Sequence, residues 1–311
     1  MFYLLNPKKF NDFPVTIENI FNSKKRNLTV EIGFGGGEYL AELSNNNKDN
    51  YFIGIETSIT SCLRTEKKLS KYSLKNVKII NDDAKFVIRE LFDEESIKKI
   101  IVNFPCPWPK KRHENKRIFD DSFINTLNNV LEINGEIELA TDVEWYSLEV
   151  KEQFEKNENF EIVKYEKNFD RTPKTRYEMK WEEMGRDKYL LIIRKKKHLK
   201  IKRILEEKSE MPHSKIQEIN EENIFSLKNK KISENEKIIV IKNVFKSEDS
   251  YLIKTYTSEE EYDQEFFLVL YKKDNYWLLK LDEITNPYRT PAVKLSVEKI
   301  SEYISRWIIW K

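Results

Sequence analysis

The chain has 311 residues, more than one typical domain, so two folded units that each bury a core are the expectation. With 39% hydrophobic residues, no apolar run of the length a membrane span needs, and an opening MFYLLNPKKF that lacks the basic-then-apolar order of a signal peptide, it reads as a globular protein of the cytoplasm with no membrane partner. Cys62 and Cys106, without a CxxC pair and beside only three histidines, suggest neither a disulfide framework nor a metal site, and a net charge of +2 argues against a uniformly basic nucleic-acid coat while leaving room for local clusters.

In chain order, short β-branched or aromatic runs predict strands at 28–32, 51–55, 77–80, 100–104, 136–140, 161–165 and 189–194, with helix-length amphipathic stretches between most of them. This alternation predicts an α/β fold, a parallel doubly wound sheet occupying residues 1–199. The stretch between the last two of these strands, which includes RTPKTRYEMKWEEMGRDK, is longer than an ordinary loop, and such loops are usually functional. All seven glycines lie at or before Gly185, which puts a boundary near residue 200. Residues 200–236 read as a charged linker, partly helical. Residues 237–311 read as a small β-rich (α+β) domain with strands at 238–245, 251–256, 265–271 and 276–281, KKDN as a hairpin turn, and a closing amphipathic helix at 297–310. Tyr276, Trp277, Trp307 and Trp310 fall at spacings that suit its core better than a base-stacking platform.

The first strand ends in VEIGFGGGEY, where glycines at a strand-to-helix turn admit the close approach of a ligand. A pyrophosphate cradle needs GxGxxG, and counting from Gly33 and Gly35 the third position is Glu38. Glu31 would place negative charge beside a phosphate, so a cationic ligand suits the turn better, and S-adenosyl-L-methionine carries both a sulfonium and an ammonium. Glu56, ending the second strand in GIETS, stands where a carboxylate can accept the hydroxyls of an adenosine ribose. Asp82 and Asp83 end the third strand, near the expected adenine; capping of the next helix is the alternative for Glu56 and Asp83.

After the fourth strand, Pro105, Pro107 and Pro109 stiffen a loop around Trp108 that leads into Lys110, Lys111, Arg112, His113, Lys116 and Arg117, residues suited to phosphate contacts. A second basic cluster runs from Arg194 to Arg203, with solvated surface charge as its equal reading. Together VEIGFGGGEY, GIETS, DDA, FPCPWPKKRH and LATDVEWY, with TRYE further on, resemble the tRNA (guanine-N7-)-methyltransferase family over about residues 28–194. The resemblance implies a Rossmann-like class I methyltransferase fold and methyl transfer from S-adenosyl-L-methionine to N7 of a guanine in the variable loop of tRNA. It implies cofactor contacts from Glu31, Glu56 and Asp83, with Gly33 and Gly35 forming the turn, and substrate contacts from Lys110, Asp142, Thr175, Arg176, Tyr177 and Glu178. The donors on the Watson–Crick edge of guanine call for carboxylates, and Asp142 and Glu178 are the candidates. Asp142 is also the candidate for catalysis, whereas Cys106 stands where the family has a catalytic Asp, which leaves that position's role open. Methylation of another RNA base or a small molecule, or tRNA binding without activity, are the rival readings; monomer and homodimer are both compatible with the sequence.

Overall fold

The computed structural model describes residues 3–24, 27–205 and 210–305, which divide into two compact units. The first unit comprises residues 1–7 and 14–203. Its elements run β1 (Leu4–Leu5), α1 (Ile17–Phe21), β2 (Leu28–Ile32), α2 (Glu38–Asn46), β3 (Tyr51–Ile55), α3 (Ile59–Lys71), β4 (Val77–Ile80) and α4 (Ala84–Leu91). They continue through β5 (Ile97–Asn103), α5 (Asp121–Val130), β6 (Leu131–Thr141), α6 (Glu144–Glu155), β7 (Phe160–Lys167), α7 (Arg176–Glu183) and β8 (Tyr189–Lys195).

These strands form one sheet in the order β1-β4-β3-β2-β5-β6-β8-β7. The strands from β1 to β6 pair in parallel, and their near-continuous burial, all five residues of β3 for example, is what a sheet covered on both faces requires. The order reverses between β2 and β5, so the crevice beyond their carboxyl ends is the topological switch point where ligands of such sheets bind. The expectation of a parallel sheet fails at one edge. β8 lies between β6 and β7 and is antiparallel to both, because the 168–188 connection folds back as a wide hairpin and needs no crossover. The result is the Rossmann-like class I methyltransferase architecture.

The second unit takes residues 8–13 and 204–311. It contains β9 (His213–Ile216), α8 (Glu221–Ser226), β10 (Lys231–Glu234), β11 (Lys237–Lys246), β12 (Ser250–Glu259), β13 (Tyr262–Lys272), β14 (Trp277–Leu281) and α9 (Pro291–Ile304). Its six strands form an antiparallel sheet in the order β10-β11-β12-β13-β14-β9. The strict alternation along β12, every second residue buried, puts Tyr251 and Ile253 into a core shared with Val293, Val297 and Ile300 of α9.

The stretch expected to be a linker is therefore part of this unit. β9 and β10 are edge strands whose charged side chains face solvent, and α8 is a short helix capped by Asn220. Only a few apolar anchors, Ile216, Ile224 and Leu227, drop into the core. Residues 8–13 join the unit as well: Asn286 Nδ2 donates to the Lys8 carbonyl at 3.0 Å, and the rings of Phe13 and Tyr288 meet edge to face at 6.1 Å. Trp277 packs against the core, while Tyr276 carries the Lys215 ammonium over its ring at 5.4 Å; Trp307 and Trp310 lie outside the described residues.

Candidate active site

The glycine turn after β2 is held open by its own sequence. Gly33 and Gly35 adopt positive φ with no atom within 4 Å of where a Cβ would stand, so the turn presents bare backbone to the crevice. The Gly35 amide donates to Glu56 Oε2 at 3.0 Å, and Lys68 of α3 donates to the Gly36 carbonyl at 2.6 Å. Gly37 must also lack a side chain, because a Cβ there would strike Thr65 of α3.

Beyond this turn lies an open cleft of about 350 Å³ lined by Glu31, Gly33, Gly35, Thr175, Arg176 and Tyr177. Six of the residues singled out in the sequence are thus brought together, although about 140 positions separate the glycine turn from the TRYE segment. Two larger depressions occur elsewhere, one around Phe21, Tyr51 and Tyr72 and one around Arg112 and Glu149. Neither is lined by a buried carboxylate with an unpaired oxygen, which is why the smaller cleft is the better candidate.

That carboxylate is Glu31, at 2% exposure. Its Oε1 accepts from Asn103 Nδ2 at 2.9 Å, while Oε2 has no hydrogen-bond partner. Burial pushes its pKa up to about 7, against the opposing effects of the Asn103 hydrogen bond and the Arg171 charge. A buried carboxylate oxygen without a hydrogen-bond partner, on a residue that lines the cleft, suits a cationic or N–H ligand.

Arg171 organises the floor behind it. Its guanidinium donates to Asn103 Oδ1 at 2.6 Å, to Glu178 through Nε at 3.0 Å and through a second nitrogen at 2.8 Å, and to Glu138 of β6. Burial acts against the charge of Glu138, but Lys99 and Arg171 hold its pKa below the usual carboxylate range. Burial likewise acts against the Arg171 cation, yet the bond to Glu178 and the carboxylates of Glu138 and Glu178 leave the guanidinium more strongly protonated than usual. Glu178 is fully buried and closes a capping box: its Oε2 accepts from the Thr175 amide at 2.8 Å, and its own amide donates to Thr175 Oγ1 at 3.0 Å.

Glu178 is therefore placed as an internal ligand of Arg171 and Thr175, against the expectation that its carboxylate meets guanine, because both its oxygens are already engaged. Thr175 is buried as the cap of α7, and what the turn offers the cleft is Arg176 and Tyr177, both exposed. Asp83 caps α4, accepting from the Phe86 amide at 2.9 Å, with the rest of its carboxylate exposed. Glu56 accepts from Ser58 as well as Gly35, so it braces the turn. Asp142 follows β6 at the same carboxyl edge, half-buried. Asn103, Arg171 and Glu138 were missed by the sequence reading. An Arg opening RTPKTRYE and an Asn immediately before FPCP were the available signals.

The proline loop carries Phe104 and Trp108 at positive φ, with Cys106 and Lys110 exposed. Arg117, expected on the RNA track, is buried instead. It donates to the carbonyls of Pro107 at 3.2 Å and Trp108 at 3.3 Å and pairs with Glu149 at 2.7 Å, holding the loop. Lys110, Lys111 and Arg112 remain exposed, and Lys116 lies over the Trp108 ring at 4.9 Å. Three residues of the second basic cluster are tied into the fold, while Lys196, Lys197, Lys200 and Lys202 stay exposed: Lys195 is buried and donates to the Leu131 carbonyl at 2.6 Å, Arg194 pairs with Glu136 at 2.8 Å, and Arg203 donates to the Phe92 carbonyl at 2.8 Å.

Comparison with known proteins decides the family. The family model described as "Putative methyltransferase" matches residues 25–191. A tRNA (guanine-N(7)-)-methyltransferase of Thermotoga maritima is 43% identical over 97% of this chain and 97% of its own, and one of Aquifex aeolicus is 30% identical over 90% of this chain and 94% of its own. The chain belongs to the tRNA (guanine-N7-)-methyltransferase family. The likeness to the Thermotoga protein extends through the second unit of this methyltransferase, beyond the residues matched by the family model. Among solved structures, an antibiotic-related methyltransferase is similar over 61% of this chain and 98% of its own at 16% identity and a TM-score of 0.43, too distant to bear on the site. Membership of a methyltransferase family implies a donor of the S-adenosylmethionine type. Among the described residues there is no group of His, Cys, Asp or Glu arranged to hold a metal ion, and no helix long and apolar enough to cross a membrane.

Proposed function

We propose that this methyltransferase transfers a methyl group from S-adenosyl-L-methionine to N7 of a guanine in the variable loop of tRNA. One observation carries the reading: a single cleft sets a buried, half-paired carboxylate and a bare glycine turn beside an exposed Arg–Tyr turn. The names of the relatives supply the substrate.

The residues fit the donor. Glu31 Oε2 is the acceptor its ammonium needs, Glu56 is the acceptor for the ribose hydroxyls, and Asp83 offers its exposed oxygen to the adenine amine. When bound, the donor supplies an electrophilic methyl on a sulfonium. Guanine N7 already bears a lone pair, so the protein needs no base to create the nucleophile; it must orient the purine and offset the positive charge that grows on it. Asp142, at the carboxyl edge, serves that purpose, with Arg176 and Tyr177 as contacts to the nucleotide and Lys110 to phosphate. Cys106 is assigned no proton transfer, since none is required.

The test is methyl transfer from labelled donor to an unmodified tRNA transcript, followed by nucleoside mass analysis. The expected product is 7-methylguanosine, and a methylated adenosine or cytidine refutes the assignment.

A further inference from the structure

Resting on that reading, we propose that Arg171 is the positioning residue of the active site, fixing the first turn of α7 against the donor carboxylate so that the nucleotide-facing turn and the donor are held in one register. The argument is the connectivity of a buried network. On one side Arg171 reaches Asn103 Oδ1, and the other end of the same amide donates to Glu31 Oε1. On the other side it grips both oxygens of Glu178, whose Oε2 in turn anchors the Thr175 amide at the start of α7. A single guanidinium thus spans from the carboxylate proposed for the donor to the helix turn proposed for the base.

Its own place is over-determined. Glu138 binds it from β6, and the Tyr39 and Phe169 rings lie 4.7 and 5.4 Å from the guanidinium carbon. Its side chain is 13% exposed. Lysine cannot replace it: one ammonium lacks the planar fork that serves Asn103, Glu138 and the two oxygens of Glu178 together. With that fork gone, the Thr175–Tyr177 turn loses its tie to Glu31 while both ligand surfaces stay intact. The defect belongs in the rate of transfer, since a misplacement of about 1 Å can lower a rate about 100-fold.

The experiment uses the full chain with S-adenosylmethionine and an unmodified tRNA transcript. Arg171→Lys is expected to lower the single-turnover rate at saturating ligands about 100-fold while the affinities for donor and tRNA stay within about threefold. Glu138→Gln, which weakens the grip on Arg171 from outside the cleft, should lower it about tenfold. Lys195→Met, a buried change away from the network, should lower the melting temperature without changing the rate, which separates positioning from stability. Independently of turnover, S-adenosylhomocysteine should slow hydrogen exchange at the 175–178 amides in the wild type and not in Arg171→Lys. A folded Arg171→Lys enzyme with a wild-type rate overturns the proposal, as does 175–178 exchange in the wild type that ignores the ligand; if Arg171→Lys does not fold, an unchanged rate in Glu138→Gln overturns it. The nature of the wild-type product tests the proposed function, and the variant-to-wild-type ratio and the exchange test the positioning.

Discussion

Replacing Glu31 by Gln should make the protein without donor more stable and at the same time a poorer binder of the donor. Gln keeps an oxygen to accept from Asn103 and removes only the buried charge. Glu31 has its pKa raised to about 7 by burial, against an ordinary value of 4.5, so the folded state prefers the protonated form. The associated stability is fully present below the unfolded value, is eroded as pH rises toward 7, and is lost above it. The difference corresponds to on the order of 3 kcal/mol of strain carried by the ionised carboxylate at pH 8. Glu31→Gln relieves it, so calorimetric melting of the donor-free variant at pH 8 should rise by several degrees, with little difference from wild type at pH 5. Donor binding should move the other way. The ammonium needs the ionised carboxylate, so wild-type affinity should fall about fivefold from pH 7 to pH 6 and decline again above about pH 8, where an α-amine loses its proton. The variant should lose the acid limb and bind the donor roughly 10- to 100-fold more weakly at pH 7.5, the worth of a charged hydrogen bond. Titration calorimetry across pH measures both. Wild-type affinity that is flat between pH 6 and 7.5, together with an unchanged melting temperature in Glu31→Gln, would refute the account of Glu31 as a strained, donor-seeking carboxylate.

Glu56→Ala should raise the donor dissociation constant through loss of both the ribose acceptor and the brace on Gly35, while gel-shift affinity for tRNA stays nearly unchanged. Replacing Lys110, Lys111 and Arg112 together by Ala should weaken tRNA at every salt concentration and flatten the plot of log affinity against log salt by about 2 to 3, one phosphate contact per side chain; an unchanged slope would remove these residues from the RNA track. Cys106→Ser should keep most of the single-turnover rate and Cys106→Asp should equal or exceed the wild type, whereas Asp142→Ala should lose orders of magnitude. A Cys106→Ser enzyme that binds both ligands normally but transfers no methyl would show that the thiol itself takes part in the chemistry.

Much of the molecule was legible in the sequence because its signals are local. The strands at 28–32, 51–55 and 77–80 are found at the expected residues, since a buried parallel strand needs an unbroken apolar run and the runs here end at turn residues. The glycine turn and its acidic neighbours were legible for a similar reason: positive φ and a bare backbone require Gly within a few positions of the strand end. The 200–236 stretch was misread because edge strands and a two-turn helix need only a few apolar anchors, and its many charges hide them. The antiparallel β8 left no local trace, as strand direction depends on how a connection closes rather than on composition.

The sequence by itself determined which residue types are available: a glycine-rich turn, carboxylates at three successive strand ends, a stiffened aromatic loop and a TRYE segment. Only the tertiary structure decided which carboxylates are free to act. Glu178 and Glu31 read alike as acidic residues in functional motifs, yet one has both oxygens engaged by Arg171 and the Thr175 amide while the other, lining the cleft, keeps an unpaired oxygen. The same holds for charge of the other sign, where Arg117 is drawn inward to hold the proline loop and Lys110, seven positions earlier, remains at the surface. The reason is that a charge placed in low dielectric persists only where partners from distant parts of the chain surround it, and those partners are assembled by the fold.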